Sequence, residues 1–121
     1  MSSTMKVSQL EEELLNFHGS GVFYRFTVNL IYTEGIQFLL HNAKAYWLLD
    51  IILSYQTNEL VNKERFQVYR LSKAEDSSAI IEISDGNNNI IATQEIPFTD
   101  FPLNTITLWC VDGTILLPSE Y

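Results

Sequence analysis

Near Asn62 the hydrophobic period of this chain changes, and that change limits what it can fold into. Upstream, apolar residues recur at helical spacing. Downstream, they fall in short alternating runs, "RFQVYRL", "SAIIEIS", "NIIATQEIP", "TITLWCV" and "TILLP". The breaks between these runs are "SKAED", "DGNN", "TDFPLN" and "DG". Asp112-Gly113 is a two-residue hairpin signal, and Asp85-Gly86 opens a longer turn. The expectation is an α+β fold with about three N-terminal helices packed on an antiparallel β-meander of roughly five strands. One domain spans residues 1–121, mainly helical over 8–62 and mainly antiparallel sheet over 63–121, with 1–7 expected to be flexible.

Within the first half, "SQLEEELLNF" over residues 8–17 reads as a helix. Ser8 is placed as its N-cap, with Glu11 completing a capping box. Leu10, Leu14 and Phe17 give it one apolar face, and Gly19 is its expected breaker. The segment Val22–Tyr32 fits either a strand or a helix. Its aromatic and β-branched residues favour a strand over Tyr24 to Tyr32. Thr33 suits the N-cap of a helix from Glu34 to Asn42. A third helix is expected from near Lys44 to about Asn58.

Fifteen acidic residues against seven basic ones give a formal net charge of −8. Binding to phosphate backbones needs clustered Lys and Arg, so direct nucleic-acid binding is not expected. Nor is a membrane span, because the apolar stretch around Asp50 covers about ten residues against a hydrocarbon layer of roughly 30 Å. One cysteine cannot form an internal disulfide, and the N-terminus lacks the apolar core of a secretion signal. These features lead to the expectation of a soluble, cytoplasmic, reduced protein.

The sequence carries few marks of catalytic chemistry. Alternation puts Ile106, Leu108 and Cys110 on one strand face, so Cys110 is expected to be a packing residue rather than a nucleophile. His18 and His41 have no second ligand at metal spacing. "GSG" at Gly19 to Gly21 lacks the remainder of a nucleotide-binding loop, and "DGNNN" lacks the ligand order of a calcium loop. No catalytic, cofactor-binding or metal-binding residues are assigned, and no cofactor is expected.

Asp50 is the conspicuous polar residue, set inside "AKAYWLLDIILSYQ". On a helix, Tyr46, Asp50 and Ser54 form a single polar stripe. The carboxylate should either face water along that stripe or accept hydrogen bonds from Tyr46, Ser54 or Arg25. Glu34 and His41 join these four as candidate functional or buried polar residues.

The strings "YRF", "LIYTEGIQFLL", "AYWLLDIILSYQ", "TQEIPFTDFPL" and "LLPSEY" together cover the chain from about Phe17 to Tyr121. In these strings the chain resembles an uncharacterised bacterial family, domain of unknown function 6876, with members in cyanobacteria, proteobacteria and phage-linked genomes. The resemblance implies an intact single-domain bacterial protein and carries no catalytic residues across.

The favoured functional expectation is a small non-enzymatic interaction or accessory module, acting on an unknown protein partner or on itself as a homodimer. Aromatic residues such as Tyr46, Trp47, Phe98, Phe101 and Trp109 would supply its anchors. One alternative is a small enzyme or ligand-binding protein with a cleft near Asp50, Glu34 and His41. Another is an acidic phage-type inhibitor of a nucleic-acid-binding protein, which needs one continuous acidic surface. The terminal "TILLPSEY" is expected to be structural up to Pro118, leaving Glu120 and Tyr121 near the sheet edge and available for a partner.

Overall fold

The computed structural model describes residues 6–18 and 21–121. Its elements, in order, are α1 (Val7–Leu14), β1 (Phe23–Thr27), β2 (Leu30–Thr33), α2 (Glu34–Ala43), α3 (Trp47–Tyr55) and α4 (Glu59–Asn62), followed by β3 (Phe66–Lys73), β4 (Ala79–Ser84), β5 (Ile90–Ile96), β6 (Thr105–Val111) and β7 (Thr114–Leu116). A 3₁₀ turn, Pro118–Glu120, closes the chain. The fold is α+β as expected, but its details differ. Among the described residues there are four helices rather than three, and seven strands rather than five.

The strands form one sheet in the order β1-β2-β7-β6-β3-β4-β5. Every pairing is antiparallel except β2 with β7, which is parallel. The sheet is therefore mixed, and not a meander: the chain leaves β5 at one edge and returns to the middle as β6. The long return explains this. Residues between β5 and β6 cross the sheet end, burying Phe101 and Leu103 in the core. Backbone bonds hold that crossing, Thr99 N to Ser77 O (2.8 Å) and Lys73 N to Asn104 O (2.8 Å), and Lys73 Nζ donates to Phe101 O (2.6 Å).

The first half is less helical than expected. Residues 24–32 do not make one strand: they turn at Val28-Asn29 into the β1–β2 hairpin, with Asn29 N donating to Thr27 Oγ1 (3.3 Å). The capping box on α1 is also corrected. The helix starts one residue earlier, its N-cap is Lys6, and no side chain caps it. Gly19 and residues 1–5 lie outside the described residues, so the expected breaker and the expected flexible start are not described; Val7 is helical.

Thr33 does cap α2, its Oγ1 accepting from Ile36 N (3.3 Å). The helix ends at Lys44 in the left-handed region (φ 53°), and Ala45 N returns to Leu40 O (2.9 Å). That break delays the next helix until Trp47. A second break at Gln56–Asn58 separates α4, whose cap is the Asn58 side chain accepting from Leu60 N and Val61 N.

The core lies between the helices and one face of the sheet. Gln67, Tyr69 and Leu71 of β3, Ala79, Ile81 and Ile83 of β4, and Leu108 and Cys110 of β6 are buried on that face. Over them α3 lays Leu48, Leu49 and Ile52, all buried. Each such side chain contributes about 1.5–3 kcal/mol when removed from water. The buried polar atoms are satisfied by one another. Gln56 and Gln67 exchange amide hydrogen bonds (2.9 and 3.1 Å), and Tyr69 OH donates to Gln67 Oε1 (2.7 Å). Burial, the main cause, raises the Tyr69 phenol pKa.

At the other end, Asp112 (φ 50°) and Gly113 (φ 85°) make the expected tight turn between β6 and β7. A Cβ on Gly113 would stand 2.6 Å from Asn29 O, so glycine there lets the two hairpin turns touch. Ile31 N donates to Gly113 O (3.0 Å) at the start of the parallel pairing.

The C-terminus corrects a further expectation. Glu120 is not available at an edge; it is buried. Its carboxylate accepts from Thr33 Oγ1 (2.6 Å), Gly35 N (3.1 Å) and Leu117 N (2.9 Å). A Cβ on Gly35 would fall 2.6 Å from Glu120 Oε1. A free carboxylate could step aside; one held by three donors cannot do so without losing them. Glu120→Gln should therefore cost about 2–3 kcal/mol, because its amide would set a donor against a donor. Gly35→Ala should destabilise by about as much alone, yet be neutral or stabilising by up to about 1 kcal/mol in a Glu120→Ala background. Urea denaturation of the four proteins measures this. Equal Gly35→Ala penalties in both backgrounds would show that the contact does not matter.

Candidate functional site

The six residues singled out in the sequence do not form one site. Asp50 sits in the first turn of α3, because the Lys44 break moved the helix start to Trp47. It is exposed, and among the described residues no hydrogen bond or ion pair engages its carboxylate. The positive end of the helix dipole accounts for an acid at that position. The expected donors are occupied elsewhere. Ser54 Oγ donates to Ile51 O (2.7 Å), Arg25 Nη1 to Val28 O (3.3 Å), and Tyr46 OH accepts from Gln37 Nε2 (2.8 Å).

Glu34 and His41 line one groove, two helical turns apart on α2. With Gln37 and Phe38 they occupy one face of α2, and Phe17 and Tyr24 complete a shallow groove of about 410 Å³. Phe17 and Phe38 are in ring contact at 5.3 Å, and Tyr24 stacks on Tyr32 at 5.4 Å. The Tyr32 phenol pKa is raised, first by burial and then by the neighbouring Tyr46 and Tyr24 hydroxyls. Asp50 does not line this groove.

The larger concavity was not visible in the sequence. All four helices leave the second sheet face uncovered, and there a groove of about 590 Å³ runs over β6, β3, β4 and β5. Strand register places its residues in rows. Trp109, Val68, Ser84 and Ile90 lie across the sheet in one row, and Thr107, Arg70, Glu82 and Thr93 in the next. At one end, Phe66 packs on Trp109 (4.9 Å), and Tyr121 meets both rings edge-on (5.7 and 5.4 Å). Tyr121 remains 74% exposed despite these contacts. Arg70 and Glu82 are directly opposed across β3 and β4, yet neither has an ion-pair partner among the described residues. The signal for this face was present as the alternation of Phe66, Val68 and Arg70 against Gln67, Tyr69 and Leu71. The helix placement that decides which set is covered was not.

Elsewhere the acids serve local structure. Asp76 and Asp85 accept from Ser78 and from Asn87 and Asn89 within their turns, which lowers both pKa values through those hydrogen bonds. Asp112 pairs with Arg65 through two bonds (2.8 and 3.0 Å) in a solvent-exposed bridge. Among the described residues no group of three or more His, Cys, Asp or Glu gathers to hold a metal ion, and no helix is long and apolar enough to cross a membrane. Cys110 is buried, and burial pushes its thiol up to about 11, with Asp112 adding and the Gly113 N–H opposing.

The model of the family described as "Family of unknown function (DUF6876)" matches residues 8–121, and the chain belongs to that family. No curated protein and no solved structure matches the chain.

Two outcomes follow from these placements. Asp50→Asn should change stability by no more than about 0.5 kcal/mol, because no partner is lost; a loss of 1–3 kcal/mol in a urea titration would mean the carboxylate is engaged. Cys110 should label at least roughly tenfold more slowly in the folded protein than in urea. Because its folded pKa is raised, its stabilising contribution is complete below the ordinary thiol value near 9 and is lost as pH climbs through about 11. Cys110→Ala should flatten the fall in stability over that window, and identical pH profiles would refute the assignment.

Proposed function

We propose that this chain is a small non-enzymatic interaction module whose contact surface is the uncovered face of the sheet. The observation that carries the reading is the Phe66–Trp109–Tyr121 cluster on that face, aromatic surface beside a groove rather than inside the core. Aromatic side chains supply large contact area at little entropic cost and are enriched at interface centres. The chemistry of the face supports binding over catalysis. The charged groups that line its groove are one guanidinium, Arg70, and one carboxylate, Glu82, set among hydroxyls and apolar rings, and no histidine or cysteine lines it among the described residues. The single thiol lies on the opposite, buried face.

A second reading, a small ligand held in the α2 groove, is favoured by Glu34, Gln37 and His41 lining it together with Phe17, Phe38 and Tyr24. Pockets of that kind combine apolar walls with a few polar groups. Asp50 has no part in it.

A photo-cross-linking amino acid at Thr107 tests the first reading in cells. Thr107 should give a specific protein adduct, while the same group at Asp50, on the helix side, should give none. A silent Thr107 would remove the sheet face as a contact surface, and an adduct centred on Gln37 instead would transfer the function to the α2 groove.

A further inference from the structure

Resting on that reading of the sheet face, we infer that its partner is a second copy of this chain, packed face to face about a two-fold axis that runs along the strands between β3 and β4. A chain with a formal net charge of −8 repels its copies over most of its surface. The uncovered face is where this repulsion vanishes. By register its strands present Arg25 and Arg70 against Glu82 and Glu95, two charges of each sign.

The order of those charges is self-complementary. A two-fold axis between β3 and β4 keeps each row at its own level and reverses it. The row Thr107, Arg70, Glu82, Thr93 then lies on its own reverse. Arg70 of each copy faces Glu82 of the other, twice, and the threonines face each other outside them. The row Trp109, Val68, Ser84, Ile90 places each Trp109 over Ile90 of the second copy. An isologous interface requires this reciprocity, residue i meeting j and j meeting i. Sheets of native twist pack in the required way, aligned within about 30° and about 10 Å apart. The two side chains are free to make these pairs, since neither has an ion-pair partner within its own chain among the described residues.

Charge reversal tests the arrangement without touching the core, because Arg70 is exposed and Glu82 half-buried. Sedimentation equilibrium of the purified full chain should give twice the mass of one chain. R70E and E82R should each weaken self-association by roughly tenfold or more, with melting transitions that remain cooperative. The double variant R70E/E82R should dimerise again. Mixing the two single variants should give a heterodimer, because R70E then faces E82R with opposite charge at both contacts. A monomeric wild-type chain, single variants that still dimerise, or a mixture that fails to pair would each overturn the inference. If the purified chain is monomeric while Thr107 cross-links to a different protein in cells, the second copy is excluded and the module reading stands. If Thr107 cross-links to nothing, both fall.

Discussion

A carboxylate taken out of water is costly unless donors replace the water, and the Glu120 carboxylate has three. Two come from the β2–α2 junction and one from its own turn. That arrangement fixes several other choices. Thr33 must offer a hydroxyl that both caps α2 and donates to Glu120, so it acts once as acceptor and once as donor. Residue 35 must lack a Cβ. The final turn must be tight enough to bring Leu117 N onto Oε1, which Pro118 at its first position assists. The negative charge also lies at the N-terminal end of α2, where the dipole favours it. Parallel pairing of β2 with β7 is short, two registered residues, and the clamp closes the loop just beyond it. The clamp adds to the backbone pairing and to the Ile31 N–Gly113 O bond at the other end of β7.

With all four helices on one sheet face, the other face has no second layer over it among the described residues. Helices α1 to α4 are too few to form a second layer, and the C-terminal turn reaches only the rim of the open face, where Pro118 lines the groove. A sheet solvated on one side is physically ordinary when that side is polar. Here it is polar in one row and apolar in the next, with two rings and a terminal tyrosine at one end. Its register symmetry, Arg70 beside Glu82 and Trp109 at the far end of a row from Ile90, is what the proposed self-association uses.

What could be read in the sequence was local. The Thr33 cap, the Asp112-Gly113 turn and the inward set of Leu108 and Cys110, buried, with Ile106, partly buried against the core, depend on neighbours within a few residues, and all appear as expected. The Val28-Asn29 turn was hidden because it uses neither glycine nor proline, so residues 24–32 read as one strand. The helix break at Lys44 was hidden because lysine seldom adopts positive φ, and missing it put Asp50 in mid-helix rather than in a first turn. Glu120 was misjudged for a different reason. Its partners are 85 and 87 residues away, and periodicity carries no information at that range. The trace it left was "TEG", a glycine in the first turn of an amphipathic helix, where propensity alone disfavours it.

The clamp and the open face are joined by one peptide bond. Glu120 is fixed in the core, and Tyr121 follows it onto Phe66 and Trp109. The tyrosine ring has no other anchor of comparable strength, since it is largely exposed. Its position on the face is therefore set by a carboxylate whose ligands are Thr33, Gly35 and Leu117. Loosening that carboxylate would release the ring from the edges of Phe66 and Trp109, at the start of the row proposed to meet a second copy. The dependence also runs the other way. A contact that presses Tyr121 against Phe66 and Trp109 would hold Glu120 in its donors, because the single residue between ring and carboxylate allows little slack. The strings "YTEG" and "LPSEY", far apart in the chain, are in this sense one structural unit, and the aromatic end of the open face is built on it.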